Sequence, residues 1–217
     1  MINRLALVVI TLFFIGGSSI TAQNAETKAK AMLQQLKNGA LIIRIPSNQN
    51  KIKALTELTN KAEATVVERE RAASLLESTQ NETAAESVII QATFANFFKF
   101  TQCYFMYDKD TDQLSKGEKQ GYFLDEQLQY SSTVTLDVDH FFVLDIGYTD
   151  PANSARSYAL IIKDQGFKEL TAPFPYAQRI NTTGLIIDQL SGKNNFQKYF
   201  KKAVIKLDKR LERALAR

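Results

Sequence analysis

The sequence predicts a single domain of the α/β (α+β) class, in which helices flank a mixed, largely antiparallel sheet of about five or six strands. Three observations predict it. Apolar residues recur at helical spacing as far as Phe100, then regroup into short aromatic and β-branched runs parted by turn residues. The apolar fraction is ordinary, and with only 9 glycines and 4 prolines in 217 residues the chain lacks the composition of a disordered one. An apolar helical stretch, Thr83–Phe100, runs straight into a strand beginning at Gln102, so both halves are expected to share one core.

Residues 1–22 read as a secretory signal peptide. Arg4 precedes the apolar run Leu5–Ile15, and Gly16-Gly17-Ser18-Ser19 leads to Ala22, so the domain is expected to span 23–217. Leu5–Ile15 is shorter than the roughly 17–25 apolar residues of a membrane span. The protein is therefore expected to be secreted or periplasmic and not integral to a membrane. Cys103 is the only cysteine, so an intramolecular disulfide cannot form.

Ala25, Ala29, Met32, Leu33 and Leu36 make the first helix, ended by Gly39. Ala40–Ile45 is a buried strand closed by Pro46. Ser47 is the expected N-cap of a helix carrying Ile52, Leu55 and Leu58. Two capping boxes follow. Thr65-Val66-Val67-Glu68 starts or continues a helix through Leu76, and Thr83-Ala84-Ala85-Glu86 starts another, apolar nearly all round and so buried. Strands are expected at Gln102–Tyr107, Tyr122–Leu124, Val134–Val138, Phe141–Ile146, Tyr158–Lys163 and Phe167–Leu170, the last after a hairpin turn at Asp164-Gln165-Gly166. Several connections between them are short, which favours antiparallel pairing.

From Phe196 the chain forms an amphipathic helix, with Phe200, Ala203, Leu207, Leu211 and Leu215 on its apolar face. Asn194–Arg217 holds eight Lys/Arg against Asp208 and Glu212, whereas the remainder of the chain beyond the signal is slightly acidic. Such a helix either lies on an anionic membrane or lipopolysaccharide-like surface, or docks on the domain and leaves its lysines in water. Nucleic acid is not an expected partner, because Gln120-Gly121-Tyr122-Phe123 fits no RNA-binding consensus.

The acidic turn Asp108-Lys109-Asp110-Thr111-Asp112 follows an apolar strand, and alternating carboxylates suit a hard cation. Asp108, Asp110 and Asp112 are thus candidate metal ligands. The calcium-loop template departs twice, with Gln113 where glycine belongs and Lys119 where glutamate belongs. The same turn resembles the Asp-x-Asp motif of aspartate-nucleophile phosphatases, with Asp145 and Asp150 after the Phe141–Leu144 strand as the later acidic motif. The interval between the two is too short for that family's parallel βα units. His140, the only histidine, could pair with Cys103 across neighbouring strands, yet Cys103 lies among Phe100, Tyr104 and Phe105, where a thiol is inert. With one His and one Cys a zinc site is disfavoured, and no cofactor is expected.

Three segments carry a resemblance. They are Leu36–Pro46, Phe98–Tyr107 with Cys103 inside it, and Ala159–Asp164 with Phe167 and Pro173-Phe174-Pro175-Tyr176. Together they are similar to the opening strand, central aromatic segment and closing motif of an uncharacterised family of secreted proteins from Bacteroidetes-type bacteria. The resemblance covers most of the chain after residue 22 and implies a fold; it implies no activity, substrate or catalytic residue.

The functional expectation is a secreted or periplasmic, non-enzymatic binding or envelope-associated module, with an envelope component or a protein as partner. Such a module would present an exposed aromatic groove or an accessible basic helix. The alternative is a metal-dependent, phosphatase-like hydrolase centred on Asp108, Asp110 and Asp145, which requires those carboxylates in one pocket.

Overall fold

A computed structural model describes residues 23–149, 157–185 and 195–217. The expected signal peptide, and Asp150 of the expected acidic motif, lie outside the described residues. Helix α1 covers residues 23–38 and buries Ala29, Leu33 and Leu36. It ends at Gly39 for a steric reason. A Cβ there would overlap the His140 carbonyl oxygen and stand 2.8 Å from that of Gln35.

Strand β1 (Ala40–Ile45) is the centre of the sheet, whose order is β2-β1-β3-β4-β5. The other strands are β2 (Gln102–Tyr107), β3 (Phe141–Tyr148), β4 (Tyr158–Lys163) and β5 (Ala177–Arg179). β1 is parallel to both β2 and β3, while the β3–β4 and β4–β5 pairs are antiparallel. The sheet is therefore mixed, as expected, with antiparallel pairing confined to β3-β4-β5. Parallel pairing of β1 is possible because both connections that bracket β2 are long. Helices α2 (Gln49–Asn60) and α3 (Val66–Phe97) carry the chain from β1 to β2, and residues 108–140 return it past β1 to β3.

Both faces of β1 are covered, which explains the apolar run Ala40–Ile43. Leu41, Ile43 and Ile45 face the larger core, with Phe142, Leu144, Leu160 and Ile162 and the helices. Ala40 and Ile42 face a second core with Met106, Leu114, Tyr122, Phe123, Leu136 and Val143. Arg44 breaks the apolar alternation on that second face.

The second core corrects several expected elements. Tyr122–Leu124, Val134–Val138 and Phe167–Leu170 are not strands. They touch through the single bridges Met106–Phe123, Gln120–Thr135, Leu124–Tyr130 and Lys163–Glu169. Their apolar residues cover the sheet face instead of extending the ladder. The expected loop after β2 folds into a 3₁₀ turn (Asp108–Asp110) and a short helix α4 (Thr111–Ser115) that delivers Leu114 to this core.

The Thr65 capping box forms: Thr65 Oγ1 accepts from the Glu68 amide at 3.3 Å, and Glu68 Oε2 accepts from the Thr65 amide at 2.8 Å. The second box does not. α3 is one uninterrupted helix, and Thr83 sits inside it, its hydroxyl donating to the Thr79 carbonyl at 2.7 Å. Nor is this part of α3 buried all round. Ser87, Ile90, Thr93 and Phe94 are buried while Val88 is 56% exposed. Ser47 is not the N-cap of α2; Asn48 holds that place, in the left-handed region at φ 51.

Helix α5 (Phe196–Leu215) closes the larger core. It buries Phe196, Phe200, Ala203, Val204, Leu207 and Leu211, with Phe200 edge-on to Phe94 at 6.0 Å between ring centroids.

Candidate functional site

The acidic turn disperses instead of converging. Asp108, at the end of β2, accepts from the Ser47 amide at 2.9 Å and the Ser47 hydroxyl at 2.5 Å, which ties the carboxyl ends of β1 and β2 together. Asp110 accepts from the Tyr130 hydroxyl at 2.8 Å. Asp112 is exposed in the first turn of α4. The turn is helical, so successive carboxylates leave the axis in different directions. Among the described residues no group of three or more His, Cys, Asp or Glu side chains could hold a metal ion.

Asp145 lines one cleft with Asp108, without Asp110, but its carboxylate is bound to cations. Its Oδ1 accepts from Arg44 Nη1 at 2.5 Å and its Oδ2 pairs with Lys163 Nζ at 2.8 Å, all three side chains being about four-fifths buried. Sequence reasoning did not single out Arg44 and Lys163. The signal was there: each is the charged residue at or near the end of an otherwise apolar strand, on the face where cover runs out.

Cys103 and His140 are not on neighbouring strands. Leu41 pairs with Cys103 on one side of β1 and Ala40 with Phe141 on the other, so β1 separates them. Burial, reinforced by the Asp208 carboxylate, pushes the Cys103 thiol up to about 12. His140 is exposed, and its carbonyl accepts from the Ala40 amide at 3.2 Å.

The feature that separates this surface from that of an ordinary small domain is the outer side of α5. Its apolar face is docked, so the helix does not lie in an interface. Lys198, Lys202, Lys206, Lys209 and Arg213 recur at steps of three and four and are all exposed, forming one stripe. The stripe is about 22 Å long at 1.5 Å per residue. The two acids of the helix are spent on the fold. Asp208 accepts from the backbone amides of Lys99 at 2.7 Å and Phe100 at 2.9 Å, and Glu212 pairs with Lys37 of α1 at 2.9 Å. Arg210 is likewise drawn inward, donating to the Ala177 carbonyl at 2.6 Å, and Lys201 lies 4.0 Å from the Phe97 ring centroid.

Among the described residues no helix is long and apolar enough to cross a membrane. In comparisons with known proteins, the chain matches no family model, no curated protein and no solved structure.

Proposed function

We propose that this protein is a secreted or periplasmic, non-enzymatic binding module that docks on a polyanionic surface of the cell envelope through the outer side of α5. One observation supports the reading above the others: both acids of α5 are used within the fold, while five cations stay in water on one side. Each Lys or Arg near an anionic surface contributes about 1 kcal/mol, provided it lies within a Debye length, about 8 Å at physiological salt. A helix already held by the core presents those charges at fixed spacing, so little conformational entropy is lost on contact. Because the apolar face is occupied, attachment is electrostatic, shallow and reversible by salt.

The test is co-sedimentation of the purified protein with vesicles of phosphatidylglycerol and phosphatidylcholine, against phosphatidylcholine alone. Binding is expected only to the anionic vesicles and is expected to fall steeply as salt rises. The triple variant Lys202→Glu, Lys206→Glu, Lys209→Glu should bind at least 100-fold more weakly, since roughly 3 kcal/mol of attraction is lost or reversed at about 1.4 kcal/mol per tenfold. Equal binding to neutral vesicles, or a triple variant that binds as well as the parent, would end this reading.

A further inference from the structure

A cleft of about 260 Å³ opens on the second face of the sheet, next to the Arg44–Asp145–Lys163 cluster. Three observations together point to a ligand there. The first is an excess of donors. Asp145 spends one oxygen on Arg44 and the other on Lys163, so two cations share one carboxylate. The Nε of Arg44 is buried and makes no hydrogen bond.

The second is a set of spare acceptors in the same cleft. Asp108 gives only Oδ1 to Ser47. Glu169 is exposed and lies opposite Lys163 through a β-bridge, which places the two side chains side by side on one face. The third is the floor. Gly147 lies inside β3, and a Cβ added there would meet no atom within 4 Å. Its φ does not require glycine, and a strand glycine weakens the strand while often marking a place where a ligand comes close. Here it keeps open the space beside Ile161 and the charged cluster.

We infer that this cleft binds a small zwitterion of the size of an α-amino acid or dipeptide. Its carboxylate would sit on Arg44 and Lys163, and its ammonium on Asp108 and Glu169. A bare anion would meet the two carboxylates unopposed, and a bare cation would meet the two positive groups. Only a ligand carrying both charges satisfies both sets.

The experiment is a titration of the ¹⁵N-labelled full chain with glycine, L-alanine, D-alanine and L-alanyl-L-alanine. Propionate and isopropylamine serve as the single-charge fragments at matched ionic strength. Saturable amide shifts at Gly147, Ile161 and Glu169 are expected with at least one zwitterion, and at least tenfold weaker binding with either fragment. Gly147→Val fills the floor and should abolish the response while the melting midpoint holds. Glu169→Gln, at an exposed position, should weaken the zwitterion at least fivefold without weakening propionate. The inference is overturned if no zwitterion gives a saturable shift, or if the fragments bind as well. It is equally overturned if Glu169→Gln leaves affinity unchanged, a result that can be read even should Gly147→Val fail to fold.

Discussion

Asp208→Ala separates the two halves of the α5 argument. The Asp208 carboxylate receives the amides of Lys99 and Phe100 at 2.7 and 2.9 Å, where the chain turns from α3 into β2. A hydrogen bond to a charged group contributes about 1.5–3 kcal/mol. Lys99 is exposed, so its amide regains water when the carboxylate is removed. Phe100 is 1% exposed, and its amide is left without a partner. The net loss is therefore about one such bond, roughly 2 kcal/mol. For a domain of this size that lowers the melting midpoint by about 4–8 °C. Lys206→Ala, on the outer stripe, should change stability by no more than about 0.5 kcal/mol. Circular dichroism through thermal and urea unfolding measures both, and vesicle co-sedimentation is run on the same samples. The expected pattern is crossed: Asp208→Ala loses stability and keeps surface binding, and Lys206→Ala does the reverse. If Asp208→Ala melts within a degree of the parent, or Lys206→Ala is equally destabilised, the division into inward acids and outward cations is refuted.

Cys103 is half-buried, so at pH 8 it should react with thiol reagents more slowly in the folded protein than in the unfolded chain, which a colorimetric thiol assay reads directly. Its burial also has a pH signature. The folded thiol keeps its proton up to about 12 while the unfolded thiol loses it near 9.0. Cys103 therefore contributes stability in full below pH 9.0, and that contribution falls as pH rises toward 12, by at most about 1.4 kcal/mol per unit. Urea unfolding at pH 8, 9 and 10 should show a steeper fall in the parent than in Cys103→Ala; parallel curves would contradict this. Ca²⁺, Mg²⁺ and Mn²⁺ should leave the melting midpoint where chelator leaves it. A ligand at a hundredfold excess over its dissociation constant would add about 2.7 kcal/mol, so a metal-specific rise, lost in Asp108→Asn with Asp110→Asn, would overturn the account of the acidic turn.

Elements whose cause is local were legible in the sequence. α1 follows from apolar residues at helical spacing and stops at Gly39. The Thr65 box closes within four residues, and the apolar stripe of α5 repeats within every turn. The Thr83 box has the same pattern but failed as a start signal. A box needs a non-helical residue at its head, and at Thr83 the helix already running from Val66 satisfies the backbone better than a break would. Strand existence was legible for β1 to β4 for the same reason. The bridging segments 122–124 and 134–138 share the strand composition, and only their position above β1 and β2 shows that they serve as cover.

The sites were less legible because their partners are distant along the chain. Arg44 and Asp145 are 101 positions apart, Ser47 and Asp108 are 61 apart, and Lys99 and Asp208 are 109 apart. Composition alone established that basic charge gathers in the last 24 residues, that one cysteine rules out an intramolecular disulfide, and that the apolar pattern can make helices and a sheet. Only the tertiary structure decided that β1 lies between two parallel neighbours, that α5 gives its acids to the fold and its cations to solvent, and that Asp145 pairs with Arg44 and Lys163 in a cleft it shares with Asp108. The physical reason is the range of the forces involved. Torsional preference and hydrophobic period act over a few residues, whereas the identity of a charge's partner depends on which strands lie side by side once the chain has closed its long loops.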